Sequence, residues 1–349
     1  MNFDFADEQP KLLMLMWGLI AFVVVVGGLL LLLDVVPAWL ARRREAQLVA
    51  VSASGAPVPR RTKPREGRLA TFFLLPTVLL LLIGLVVPAI RTVLLSFMDR
   101  TSTEWVGFRN YVWMFDEDAI VRVLTNTLIW VILVPLLATA FGLLYAVLVD
   151  RARFEAIAKS LIFMPMAISM VGAAIIWRFV YAYRGAGEEQ IGLLNQIVVS
   201  LGGTPQSWLQ EPPINTFLLI VIMIWIQAGF AMVVLSAAIK AIPAEIIEAA
   251  RLDGVTPWQM FWQVTLPSIR PAVIVVVVTL SIVTLKVFDI VRTATNGNYD
   301  TSVIANEMYN QAFRYGENGQ GSALAVVLFI LVVPIVFYQI RNLRQQREG

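Results

Sequence analysis

The sequence predicts an all-α membrane protein, a polytopic helix bundle of about seven transmembrane helices. Two observations carry that expectation. Of 349 residues, 58% are apolar and 15% charged, with a mean hydropathy of +0.76; soluble domains lie nearer 45–50% apolar and 25% charged. The apolar residues also gather into seven runs, at 12–33, 69–90, 127–149, 161–183, 216–239, 272–288 and 322–340. Each falls in the range of roughly 17–25 residues that crosses a hydrocarbon core as helix. Barrel strands would alternate, and lipid offers unpaired backbone groups no other partner.

Taken in order, the first run follows an acidic leader (Asp4, Asp7, Glu8) and exceeds the apolar core of a signal peptide, so it reads as a retained anchor. A linker over 34–68 carries Arg42-Arg43-Arg44, a Ser/Ala/Gly/Pro-rich stretch and Arg60-Arg61-Thr62-Lys63-Pro64-Arg65. That composition suits a flexible tether against anionic headgroups and sets topology; no nucleic-acid partner is expected. Residues 1–67 are therefore an appended anchor and linker, and 68–349 the core. Pro76, Pro88, Pro135, Pro165 and Pro334 lie inside runs and predict kinks. Only Arg178 and Lys286 bring charge into the runs, and Arg178 reads as an interfacial anchor.

Orientation follows from the connections. Segments 34–68, 150–160, 240–271 and 341–349 hold 17 Lys and Arg in 87 residues, against 8 in 112 for the opposite set. The first set is predicted cytoplasmic, with the N-terminus outside and the C-terminus inside. The outer loops, 91–126, 184–215 and 289–321, are long enough to suggest a partner or a gate, with idle loops as the alternative. Zero Cys and zero His exclude thiolate nucleophiles, imidazole bases and zinc sites of the usual kind. No metal, no bound cofactor and no catalytic residue are expected.

The connection 240–271 is the informative one. Pro243 suits the start of a helix and Gly254 the left-handed position after its end. Thr256 with Gln259 then forms a capping box around Pro257, and Pro267 and Pro271 are expected to stop this second helix. Glu245 and Glu248, three residues apart, share a face. Two short helices meeting at a glycine result. They serve either as a plain connector on the membrane surface or as a docking element.

Glu248-Ala249-Ala250, Gly254, Val264 and Leu266-Pro267 at this spacing resemble the "EAA" loop of permease subunits of ATP-binding-cassette importers, with Val264 where the family has Ile. Val106-Gly107…Asn110-Tyr111, Asn126-Thr127-Leu128, Pro165…Ser169, Gly192…Asn195 and Leu285-Lys286-Val287-Phe288-Asp289 resemble the carbohydrate branch. The likeness covers 69–347 and is closest to the larger permease subunit of maltose- and α-glucoside-type importers. Thr295-Asn296-Gly297-Asn298-Tyr299 departs from the Thr-x-Gly-Gly-Pro usual there, so the likeness does not carry the shape of the neighbouring outer gate.

The resemblance implies half of a translocation pore, paired with a second related permease. It also implies two separate ATPase subunits that hold ATP and Mg, and an extracytoplasmic solute-binding protein that delivers the sugar. No Gly-x-x-x-x-Gly-Lys-Ser/Thr loop occurs in this chain. The loop 243–267 would couple to the ATPase through Glu245, Glu248, Ala249, Ala250, Asp253, Gly254, Leu266 and Pro267. Sugar contacts are expected from Gln227 and Phe230 in the fifth run and Ser281, Thr284 and Lys286 in the sixth. Each has a simpler alternative: hydroxyl bonds within the helix for Ser281 and Thr284, and an ion pair with Asp289 for Lys286. A stand-alone carrier or channel competes with this reading, but the runs hold no Asp, Glu or His for an ion relay.

Overall fold

Among the described residues five helices are long and apolar enough to cross a bilayer, and a bent pair adds a sixth. The computed structural model describes residues 66–150, 153–185 and 187–348, so the first predicted run and its linker lie outside the described residues. The chain divides into two compact units, Met1–Pro88 and Ala89–Gly349. Helix α1 (Glu66–Leu81) runs through a π-helical turn (Leu82–Val86) into α2 (Val87–Leu95).

The second unit is built around two long helices, α4 (Asp118–Val149) and α8 (Ile214–Lys240). They are preceded and separated by α3 (Arg109–Asp116), α5 (Glu155–Phe163), α6 (Met170–Val180) and α7 (Leu193–Ser200). After α8 come α9 (Ala244–Leu252), α10 (Pro257–Gln259), α11 (Leu266–Leu285), α12 (Asp289–Ala294), α13 (Ile304–Tyr309) and α14 (Asn318–Glu348). Two thirds of the apolar window of α8 (67%) is buried, against 33% for α4, so α8 is the axis of the unit. Leu219, Met223, Met232 and Leu235 of α8 meet Trp130, Val134 and Ala138 of α4 and Val276 and Leu280 of α11 in one core. Small residues bring the backbones close. A Cβ added at Gly142 would lie 2.4 Å from Ala231 Cβ and 2.8 Å from Met232 N. Packing of this kind replaces the hydrophobic effect, which lipid tails cancel. Leu128, Ile132 and Leu136 form an exposed apolar stripe along α4, at the spacing of one helix face.

Two expectations are corrected. The run 161–183 is not one helix: Glu155–Ala167 and Met170–Val180 meet at 101°. Pro165 sits in a 3-10 turn (Met164–Ala167), and Ser169 then starts α6 by accepting the Gly172 amide at 3.0 Å. Proline denies the first helix its continuation and serine caps a new one. In addition, Pro267 and Pro271 do not stop the second helix of the loop, because Pro257–Leu285 is a single 29-residue span. A π-helical turn (Met260–Thr265) just before Pro267 widens the backbone where its ring would clash, and Ser268 Oγ donates to the Val264 carbonyl at 2.6 Å.

The long loops 91–126 and 184–215 are packed by buried amides. Fully buried Asn195 ties together the segments at 182 and 206–208. Its Nδ2 donates to the carbonyls of Ala182 (2.9 Å) and Gln206 (3.0 Å), and its Oδ1 accepts from the Gln206 amide and Trp208 Nε1, both at 2.9 Å. Asn110 Nδ2 likewise donates to the carbonyls of Ser96 and Met98, at 2.9 and 2.8 Å. In the same loop Asp99 accepts from Thr101 Oγ1 (2.6 Å) and from the amides of Thr103 (2.7 Å) and Glu104 (3.0 Å). These donors, the Glu104 amide foremost, hold its carboxyl well below the usual carboxylate range. A depressed pKa contributes stability that is complete above the unfolded value near ~4 and is lost as pH falls below it. Amide exchange over 99–105, corrected for intrinsic rates, should therefore quicken as pH drops below about 4. In Asp99→Asn it should already be fast at neutral pH and show no such acid step.

Candidate functional site

The connection between α8 and α11 is rigid by local chemistry. Helix α9 ends in a Schellman motif: the Val255 amide donates to the Ala250 carbonyl at 3.2 Å, and the Gly254 amide to Arg251 at 3.1 Å. That geometry needs the left-handed backbone, and Gly254 has φ +74°. Four residues on, the predicted capping box is present. The Thr256 amide donates to Gln259 Oε1 at 3.0 Å and the Gln259 amide to Thr256 Oγ1 at 3.4 Å. Pro243 directly precedes α9.

The expected coupling residues divide by exposure. Glu245, Glu248, Ala249, Asp253, Gly254 and Pro267 are exposed, Leu266 is half-buried, and Ala250 is buried. Neither Glu245 nor Glu248 pairs with a described cation. Beside them Leu252 is 89% exposed and Trp258 71%, an apolar tip on an otherwise charged bend. Trp258, Phe261 and Trp262 stack edge to face, with centroids 5.0–5.5 Å apart. Together with Val147, Asp150 and Ile239 they line a cleft of about 740 Å3 between the bend and the ends of α4 and α8.

A charged cluster that the sequence reading missed braces the root of the bend. Lys159 on α5 reaches Asp150 at the end of α4, Ser236 on α8 and, at 2.7 Å, Glu155. Ser236 Oγ donates to Asp150 Oδ1 at 2.6 Å, and Glu155 also takes Lys240, the last residue of α8. Only the i, i+4 pair of Glu155 with Lys159 was open to a sequence signal. Asp150 lies nine residues from Lys159, and the contacts of Ser236 and Lys240 close over 77 to 86 residues.

The expected sugar contacts are placed unevenly. Gln227 is 7% exposed on α8, and its amide finds no partner among the described residues. Phe230 is half-buried. Ser281 Oγ donates to the Val277 carbonyl at 2.8 Å and Thr284 Oγ1 to Leu280 at 2.7 Å, so both hydroxyls bond within α11. Lys286 is exposed at the end of α11 and forms no ion pair with Asp289. Arg178 is more than an interfacial anchor, since its Nη1 donates to the Thr293 carbonyl at 3.4 Å. A cleft of about 420 Å3 beside the bent helix pair is lined instead by Phe141, Tyr145, Trp177 and Trp225, among others. Trp177 stands edge-on to Trp225 at 5.7 Å. These aromatics carry no local sequence signal, because only the 101° bend faces them into one hollow.

With this geometry in hand, three comparisons are informative. Residues 122–348 match the family described as "Binding-protein-dependent transport system inner membrane component". The "Alpha-glucoside transport system permease protein AglF" of Rhizobium meliloti is 51% identical over 278 residues, which is 79% of this chain and 83% of that protein. The "Osmoprotective compounds uptake permease protein GgtC" of Synechocystis sp. is 51% identical over 276 residues, 79% of this chain and 99% of that protein. Among solved structures, a chain of a bacterial alginate ABC transporter, in complex with an alginate pentasaccharide-bound periplasmic protein, superimposes with a TM-score of 0.68. It shares 25% identity and covers 79% of this chain and 93% of that one.

Proposed function

The chain belongs to the family of binding-protein-dependent transport system inner membrane components, and on that premise we propose what it carries and how it is driven. It is a multi-pass membrane permease subunit of an ATP-binding-cassette sugar importer. The cargo in our reading is an α-glucoside-like oligosaccharide, a choice that the name of the Rhizobium relative supports. Residues 68–349 form half of the pore opposite a second, related permease; 1–67 add an anchor whose N-terminus is outside, while the C-terminus is cytoplasmic. A solute-binding protein delivers sugar to the outer loops. Two cytoplasmic ATPase subunits hold ATP and Mg, and this chain contributes no catalytic group.

One observation carries the mechanism: a bend locked by two capping motifs nevertheless leaves Leu252 and Trp258 89% and 71% exposed, and the carboxylates of Glu245 and Glu248 without a partner among the described residues. A rigid projection with unsatisfied apolar and charged groups is what a docking partner needs. Ala249 and Gly254 let backbones approach, Glu245, Glu248 and Asp253 meet the ATPase, and Leu266 and Pro267 tie the bend to α11. Force on the bend reaches α4 and α5 through Lys159, Ser236 and Lys240. The bundle then has two arrangements biased from two sides, by ATP within and by the loaded binding protein without. Of the expected sugar contacts, Gln227 and Phe230 remain in the proposal as pore-facing groups on α8. Ser281 and Thr284 serve α11 itself, and Lys286 lies at its outer end.

Extraction in mild detergent should bring down an ATP-binding-cassette ATPase and a second permease in stoichiometric amounts. Glu248→Lys, which reverses the charge offered to the ATPase, should lower ATPase recovery at least fivefold without reducing the permease partner. Sugar uptake by the chain alone in liposomes without ATP would reject the reading in favour of a stand-alone carrier.

A further inference from the structure

The segment 295–301 joins α12 to the strand of chain before α13, and its backbone is unusual. Asn296, Gly297, Tyr299 and Asp300 all have positive φ, at +59°, +79°, +55° and +58°. For glycine and asparagine this is ordinary, but for a ring-bearing residue it is an outlier. The surroundings impose it. Asn215, fully buried on α8, donates through Nδ2 to the Tyr299 carbonyl at 2.7 Å. Asn126 on α4 donates to the carbonyls of Asp300 (2.6 Å) and Ser302 (3.0 Å). The hydroxyls of Thr295 and Thr301 meet at 2.6 Å and close the base of the turn. Both central helices thus grip the backbone on either side of one side chain, yet that side chain is not buried: Tyr299 is 48% exposed. Backbone strain held by redundant contacts while a side chain stays free is the arrangement expected of a ligand clamp, not of a fold-stabilising turn.

The ring has chemistry around it. It borders a cleft of about 380 Å3 whose other walls include Tyr183, Arg178, Gln210 and Ser207. That volume lies in the range of small-molecule sites, roughly 300–1,000 Å3. An aromatic face beside a guanidinium, an amide and a hydroxyl suits a pyranose, which offers an apolar C–H face and a rim of hydroxyls. We propose that Tyr299 is the stacking platform of an outer sugar subsite, where a glucosyl ring rests between release from the binding protein and entry into the pore shared with the second permease. This rests on the sugar-importer reading above and adds a site to it. It also gives a reason for the departure of 295–299 from the family pattern: the substituted Asn298 and Tyr299 exchange a compact turn for one that carries a ring.

The test uses the assembled importer with its ATPases and binding protein, in vesicles, with maltose, sucrose and trehalose as probes. Tyr299→Gly removes the ring and relieves the backbone, so it cannot lose function through misfolding of the turn. We expect its apparent KM for the transported sugar to rise at least fivefold with maximal rate changed less than twofold, and Tyr299→Phe to restore the KM to within twofold. Because the chain has no cysteine, Tyr299→Cys is a unique label on it. Saturating sugar should slow its reaction with a charged maleimide at least threefold. If the wild type carries one of the probes while Tyr299→Gly keeps its KM and Tyr299→Cys goes unprotected, the subsite is overturned and the importer reading stands. A wild type that carries none of the three overturns the α-glucoside assignment and the subsite together.

Discussion

Gly254→Val lowers ATP-coupled uptake and binding-protein-stimulated ATP hydrolysis at least tenfold while the amount of chain in the membrane is unchanged. The reason is conformational rather than steric. No atom lies within 4 Å of a Cβ built at Gly254, so the valine side chain has room. Its backbone does not: φ is +74°, where a β-branched residue is disfavoured by about 1–3 kcal/mol. Relief comes by abandoning the Schellman bonds from Val255 to Ala250 and from Gly254 to Arg251. Helix α9 then leaves the bend at another angle, and Glu245 and Glu248 no longer aim where the ATPase waits. Asparagine tolerates the left-handed region, so Gly254→Asn should retain uptake within about threefold of wild type. That ordering, Gly and Asn above Val, separates a conformational handle from a simple contact residue. If Val and Asn behave alike, the bend is a connector and the coupling role of 243–267 is lost.

What could be read from the sequence follows the range of the forces. Five of the spans were legible because lipid imposes one requirement on every residue of such a run. The bend at Gly254 was legible because Thr256 and Gln259 cap three residues apart and Gly254 ends a helix by its own backbone freedom. Interactions that close over long separations left no trace. Pro165 predicted a kink within 161–183, but a proline does not specify that the chain turns by 101° after its 3-10 segment. Lys159 is one cation in a basic connection until α4, α5 and α8 are brought together around it. The pocket was the least legible. Serine and threonine at 281 and 284 are polar residues in a span, which is the mark of a ligand group and equally of a hydroxyl returning to its own helix. Their bonds to Val277 and Leu280 decide for the second. The hollow that does open beside the bent helix pair is walled by Trp177 and Trp225, residues from helices the sequence does not juxtapose.

Gly229, where α8 passes α5, has no room for a side chain. A Cβ there would lie 2.6 Å from the Ile162 carbonyl oxygen and 2.9 Å from Phe163 Cα. Both are backbone atoms of α5, so no rotamer change relieves the clash, and one helix must move away from the other. Helix α5 is poorly placed to move, because Lys159 ties it to Asp150 on α4 and Ser236 on α8, and α6 leaves it at once in another direction. Overpacking of a close helix contact costs about 1–3 kcal/mol, and separating α5 from α8 also loosens the Lys159 cluster. Gly229→Val should therefore lower the melting temperature in detergent by about 5 °C and reduce uptake at least tenfold. Gly172→Ala is the matched control: its nearest neighbours are the side chains of Ser169 (3.1 Å) and Ile168 (3.3 Å), which can yield. It should cost less than about 2 °C. A Gly229→Val chain as stable and as active as wild type would mean that α5 and α8 slide freely, and a force applied at the bend at Gly254 would then have no rigid route to the bent helix pair.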